Sequence, residues 1–280
     1  MSAPSHVPPT ATLAPSRPPL EGRRASARAF RALCGRDAWV VVRHDLAGFL
    51  AQSLLQPVFF LFVFGRILPE IGAAGGGYGE QLLPGIIGLT LFLTALQNTA
   101  LPLVIEFSFT KEIEDRLLAP LAAWMVGVQK IVFAAGRGIV AAVLVIPLAA
   151  LILPAGVNLG EIDPLGFAAL LSFGGIAGAA VGLVLGTAVP PHRINVVFAV
   201  VLTPLTFTGA TFYPWAGLEN LEWFKIITLA NPLTFISEGM RAALTDLPHM
   251  QVGWILLGIS VATVIFTALG LRGFVGRAVD

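Results

Sequence analysis

Residues 46–64 read LAGFLAQSLLQPVFFLFVF, nineteen positions without one ionisable side chain. At about 1.5 Å of rise per residue, a helix of that length nearly crosses a hydrocarbon core about 30 Å thick. Lipid solvates such a surface and obliges the backbone to satisfy its own hydrogen bonds, which a helix does. This run is span one. Working outward, further stretches without Asp, Glu, Lys or Arg occupy 82–105, 138–160, 164–191, 194–218 and 247–271, each long enough to cross with some tilt. The expected fold class is all-α integral membrane, with six transmembrane helices.

Composition agrees with lipid as the solvent. Of 280 residues, 56% are hydrophobic and only 12% charged, against about one quarter charged in soluble domains. Mean hydropathy is +0.84. Internal prolines such as Pro57, Pro102, Pro147 and Pro204 are expected to kink the spans and not to end them, because neighbouring helices satisfy the freed carbonyls. Gly174, Gly178 and Gly182, four apart, allow close helix approach and are assigned to packing within the chain ahead of contact between copies.

Ahead of span one, residues 1–22 carry six of the twenty prolines and read as a disordered cytoplasmic leader. No signal peptide is expected, since the first apolar stretch of the required kind begins at Leu46. Residues 23–45 place Phe30, Leu33, Cys34 and Val41 on one helical face and Arg28, Arg31, Arg36 and Arg43 largely on the other. An interfacial helix fits, its arginines toward anionic lipid headgroups or a cytoplasmic partner, with Asp37 interrupting the apolar side. The domain organisation is then leader 1–22, interfacial helix 23–45 and a six-span domain over 46–280.

Orientation follows from the basic residues. With both termini on one side, that side holds fourteen Arg and Lys against eight acids, and the other holds only Arg66, Lys225 and Arg241 against eight acids. The positive-inside rule makes the first side cytoplasmic and the protein a multi-pass resident of the cell membrane. Lys130 and Arg137, at the start of span three, are expected to snorkel to the cytoplasmic headgroups. Fourteen arginines against three lysines fit a GC-rich bacterial source.

Several chemistries find no residues to carry them. No phosphate-binding loop G-x-x-x-x-G-K-[ST] occurs, and His6, His44, His192 and His249 are too scattered for a zinc site. Cys34 stands alone, so neither an intramolecular disulfide nor a cysteine metal cluster is available. H-E-x-x-H and G-x-S-x-G are absent. No catalytic residue, metal or cofactor is expected on this chain, and a net charge of +1 gives no ground for nucleic-acid binding.

Between spans two and three lies FSFTKEIEDRLLAPLAAW, residues 107–124. Ile113, Leu117 and Leu121 recur every four residues, while Lys111, Glu112, Asp115 and Arg116 cover most of the opposite side and Glu114 borders the apolar one. A short helix on the cytoplasmic surface is expected, with Lys111, Glu112, Ile113, Glu114, Asp115, Arg116, Leu117 and Leu118 as its contact element. Farther along, Ile226 to Ser237 is apolar but too short to cross, so the chain should dip into the membrane and return. Trp215 and Trp223 are expected at an interface, and Glu238 and Arg241, three apart, can pair.

The charged cluster followed by Leu117, Leu118, Ala119, Pro120 and Leu121, together with Ala230-Asn231-Pro232-Leu233-Thr234 before the last span, resembles the permease subunits of type-2 ABC exporters. The charged loop departs from that pattern in having Glu114 and Asp115 where a Gly-Thr step is usual. The resemblance implies that residues 111–118 form the coupling helix seated in a cytoplasmic ABC ATPase, which would bind ATP and Mg. It implies that Trp215, Trp223, Phe224, Asn231 and Pro232 belong to an extracellular re-entrant gate. It also implies a second permease copy or paralogue, a route opened by spans one, two and five, and export of an amphipathic or lipid-linked substrate. The rivals are an ion-gradient-driven secondary transporter, which should carry buried acids or broken helices near the midplane, and a non-transporting membrane scaffold.

Overall fold

The computed structural model describes residues 22–75, 77–110, 113, 116, 121–153 and 162–279, and every regular element among them is helical. Helix α1 spans Gly22–His44, α2 Leu46–Glu70, α3 Tyr78–Thr110, α4 Ala123–Ile152 and α5 Pro164–Ala188. There follow α6 Ile194–Thr208, α7 Glu222–Leu229, α8 Pro232–Leu244 and α9 Val252–Val279. Prolines sit inside α2, α3, α4 and α6 without ending them. In α2 and α3 a wide-turn π-helical segment begins four residues after a proline, at Leu61 after Pro57 and at Glu106 after Pro102.

Helix α3 is the axis of the bundle. It packs against α4, α5 and α8, and Leu82, Ile86, Ile87, Leu91, Phe92 and Leu96 are wholly buried along it. The seam with α5 is made by glycine: a Cβ at Gly178 would lie 2.5 Å from the Phe92 carbonyl oxygen, and one at Gly182 would collide with that of Leu96. The small-residue row thus serves packing inside the chain, letting two backbones touch where lipid-solvated helices gain little from burying apolar surface. By contrast α9 and α2 leave most of their apolar surface outside, including Leu55, Phe59, Trp254, Leu257 and Val264.

Five of these helices, α2, α3, α4, α5 and α9, are long and apolar enough to cross a membrane. The fifth expected stretch, 194–218, does not become one long helix. Helix α6 stops at Thr208 after fifteen residues, roughly 22 Å of rise. Beyond it Ala210 takes a positive φ of 50°, uncommon for a residue with a Cβ, and a single 3₁₀ turn covers Trp215–Leu218. The boundaries of two other spans shift: α4 begins at Ala123, well before residue 138, and α9 runs on to Val279 past Arg272 and Arg277.

The bundle has two unlike ends. One gathers α1, the start of α4 and the ends of α3, α5 and α9, where Arg277 donates to the Gly186 and Thr187 carbonyls at 3.2 and 3.0 Å. A cation there answers the negative end of the α5 dipole. The other end gathers the 209–250 segment with the starts of α3 and α5.

Candidate functional site

At the arginine-rich end, α1 lies on α4 and α2 with Phe30, Leu33, Cys34 and Val41 half-buried and Arg28, Arg31, Arg36 and Arg43 exposed. Arg43 rests over the Trp39 ring at 4.4 Å. Asp37, which interrupts the apolar face, has a partner that spacing could not reveal. Arg116 donates to both of its carboxylate oxygens, each at 3.0 Å, and Gln129 of α4 donates to Oδ2 at 3.0 Å. A bidentate guanidinium–carboxylate pair is among the stronger side-chain contacts. Behind it Lys130 pairs with Glu106, and Arg116 Nη2 stands 3.8 Å from Glu106 Oε1. Arg116 thereby meets α1, the end of α3 and α4 in one charged junction.

Burial alone would push the Asp37 carboxyl up, but the Arg116 and Gln129 hydrogen bonds and the Arg116 and Lys130 charges hold it below its ordinary value. Of the residues expected to form the contact element, Ile113 is buried against the bundle and Arg116 is also turned inward, only 6% exposed. The expectation that Arg116 belongs to the outward charged face is thus corrected: a guanidinium with a bidentate acceptor beneath it folds toward that acceptor. Lys111, Glu112, Glu114, Asp115, Leu117 and Leu118 lie outside the described residues. Lys130 does not snorkel, since Glu106 holds it, and Arg137 stacks over Phe49 at 4.5 Å.

At the opposite end Glu238 is a hub with no exposed surface. Its carboxylate pairs with Arg241 and accepts from the backbone N–H of Trp215 at 2.9 Å and of Met250 at 2.7 Å. Arg241 also reaches the Ala210 carbonyl at 3.3 Å. Asn231 is the N-cap of α8 with Pro232 at the first helical position. Its oxygen accepts from Leu233 N–H at 2.9 Å, while its amide donates to the Leu205 carbonyl at 2.8 Å and Thr208 Oγ1 at 2.9 Å. So α7 and α8 form a short broken hairpin tied back to the end of α6. Lys225 lies over the Trp215 ring at 4.2 Å, Trp223 is exposed, and Phe224 packs on Tyr213 and Trp223.

Midway between the ends, α2, α3 and α6 border a cleft of about 210 Å³ with Gln56, Gln97, Thr203 and Thr206 on its walls. It continues between α2 and α3 past Gln52, Ser53, Thr90 and Thr94. Every polar group there is an amide or a hydroxyl.

The profile of a family described as "ABC-2 type transporter" matches residues 28–245. This chain belongs to that family. The matched range opens inside α1 and closes just after α8, so it takes in the charged junction, the polar cleft and all of the Glu238 hub except Met250. Among its relatives, the inner membrane transport permease YadH of Escherichia coli K12 is 24% identical over 243 residues, covering 81% of this chain and 90% of YadH. YadH of Shigella flexneri matches to the same extent. The ycf38 protein of Cyanophora paradoxa is 29% identical over 205 residues, covering 69% of this chain and 66% of its own. The ABC-2 chain is thus a membrane transport permease.

Proposed function

We propose that this ABC-2 permease crosses the membrane six times and works as half of an ATP-driven exporter of an amphipathic or lipid-linked substrate, with both termini in the cytosol. The sixth crossing is α6 completed by the 209–218 segment, and α7 with α8 is a re-entrant hairpin closing the outer end. ATP and Mg bind a separate ATPase seated on the 111–118 segment. The observation that carries the reading is the charged junction. Because Arg116 ties that segment to Asp37 of α1, Glu106 of α3 and, through Glu106, Lys130 of α4, a push on it reaches three helices at once. Helix α3 borders the polar cleft that α2 and α6 complete, which fits a route between two permease copies.

An ion-driven carrier is less favoured. The carboxylates of Glu106 and Glu238 are buried, but each is paired with a cation at an end of the bundle, whereas such a carrier places its acids near mid-depth. The test is purification of the full-length chain from its own membranes in mild detergent. A subunit carrying a phosphate-binding loop should co-purify, and vesicles should show ATP-dependent export. Reversing Lys111, Glu112 and Asp115 together should release that subunit while leaving the bundle folded. An intact complex with unchanged export after the triple reversal would overturn the coupling assignment.

A further inference from the structure

Three of the chain's six glutamines, Gln52, Gln56 and Gln97, border the cleft between α2, α3 and α6. Gln56 lies ten residues into the uncharged part of α2, counted from the arginine-rich end, and Gln97 fifteen into that of α3, counted from the opposite end, which puts them about 15 and about 22 Å from those ends and both in the middle part of the core. Gln52 and Gln56 are exposed there, and Gln97 is half-exposed. Among the described residues none of the three side-chain amides has a hydrogen-bond partner within the chain. Thr90 and Thr206, by contrast, spend their hydroxyls on the carbonyls of Ile86 and Leu202. An open primary amide facing hydrocarbon is costly, so this face is not a lipid face.

The charge around the cleft is as informative. Along the three helices the nearest ionisable residue to any polar side chain of the cleft is Asp45, seven positions from Gln52, about 10 Å of helical rise. Among the described residues that line the cleft there is no cation to neutralise a carboxylate or phosphate, and no acid to neutralise an amine. What lines the space can donate and accept hydrogen bonds through the same groups, since each amide carries two N–H donors and a carbonyl acceptor. The rings of Phe60 and Phe207 border the same hollow and supply apolar contact.

We infer that this cleft selects a neutral amphiphile bearing several hydroxyl or amide groups and rejects its ionised counterparts, with Gln52, Gln56 and Gln97 as the specificity-determining residues. The inference rests on the reading of the cleft as the transport route and adds the charge class of the cargo. A hydroxylated headgroup satisfies the amides two or three at a time. A carboxylate brought to the same place loses its water and meets no countercharge.

The probe pair that tests this is an alkyl glucoside and the alkyl glucuronide of the same chain length, both with a diazirine in the chain, added to the full-length protein in lipid nanodiscs. The glucoside should label peptides of α2, α3 and α6 about tenfold more than the glucuronide. The paired variant Gln56→Leu/Gln97→Leu should reduce glucoside labelling about tenfold, the size expected for two lost hydrogen bonds, and Gln56→Asn/Gln97→Asn should keep most of it. Equal cleft labelling by both probes, indifferent to the glutamines, would leave the route standing and overturn the neutral class. Absence of cleft labelling by either probe would remove the route reading itself, whether or not Gln52→Cys forms a disulfide between two copies.

Discussion

The two ends of the bundle each bury acids against bases, yet they are built in opposite ways. The Glu238 hub is local and leans on the backbone: its partners are Arg241 three residues away and the N–H groups of Met250 and Trp215, twelve and twenty-three away. The Asp37 junction is long-range and made by side chains, with Arg116 and Gln129 lying 79 and 92 residues from Asp37. The hub satisfies both carboxylate oxygens, whereas Glu106 Oε2 and Gln129 Oε1 in the junction lack a hydrogen-bond partner among the described residues. Backbone donors fix one geometry. Long side chains with capacity to spare can exchange partners, which suits the coupling role proposed for that end.

The largest effect should come from breaking the hub. Glu238→Ala leaves the Arg241 guanidinium buried without its carboxylate and should cost about 3–5 kcal/mol, read as a loss of thermal stability in detergent. Replacing both members, Glu238→Met with Arg241→Met, should recover much of that loss, because two apolar side chains need no countercharge. If Glu238→Ala were as stable as the parent, the hub would not be the rigid partner in this contrast.

Next in size is the junction. Asp37→Ala and Arg116→Ala should each destabilise the chain, and a double-mutant cycle should return a coupling of about 1–3 kcal/mol. Hydrogen exchange should rise in α1 and at the start of α4 while α8 stays protected. Protection lost equally at both ends would mean that the two clusters form one unit.

This contrast also marks what the sequence discloses. The pairing of Glu238 with Arg241 was legible, since three residues on a helix share a face. So was the separation of apolar and arginine positions along α1, but the sequence placed its apolar side in the headgroup boundary, whereas it packs on α4 and α2. The bond from Asp37 to Arg116 was not, because nothing in a local pattern encodes a contact across 79 residues, and the same guanidinium read locally belonged to the solvent side. Hydrophobic length found the five long helices and overran α6, since the Gly209–Phe212 turn is as uncharged as the helix before it and hydropathy does not register a change of φ at Ala210. Glutamines inside uncharged runs left the length criterion intact, so the polar cleft surfaced only when three helices brought them together.

A smaller effect tests how much of the rigidity at the Glu238 end comes from α8 itself. Asn231→Ala removes the N-cap acceptor and the two bonds to the end of α6, and should cost about 1–2 kcal/mol. Asn231→Asp keeps the acceptor for Leu233 but loses the donors to Leu205 and Thr208. It should therefore fall between parent and alanine, which separates capping of α8 from the tie to α6.

The smallest effect concerns pH and belongs to the junction alone. Arg116, Gln129 and Lys130 hold the Asp37 carboxyl below its ordinary value, whereas in the unfolded chain it titrates near 3.9. Between those two values the unfolded chain binds the extra proton, so stability rises with pH there. The contribution is complete above roughly pH 5 and drains away as pH falls through the folded-state value, with a slope of at most about 1.4 kcal/mol per pH unit. Stability measured from pH 6 downward should thus fall more steeply for the parent than for Asp37→Asn, with the first loss of protection in α1. Identical acid profiles for the two proteins would show that the Asp37 carboxylate is not what fastens α1 to the bundle.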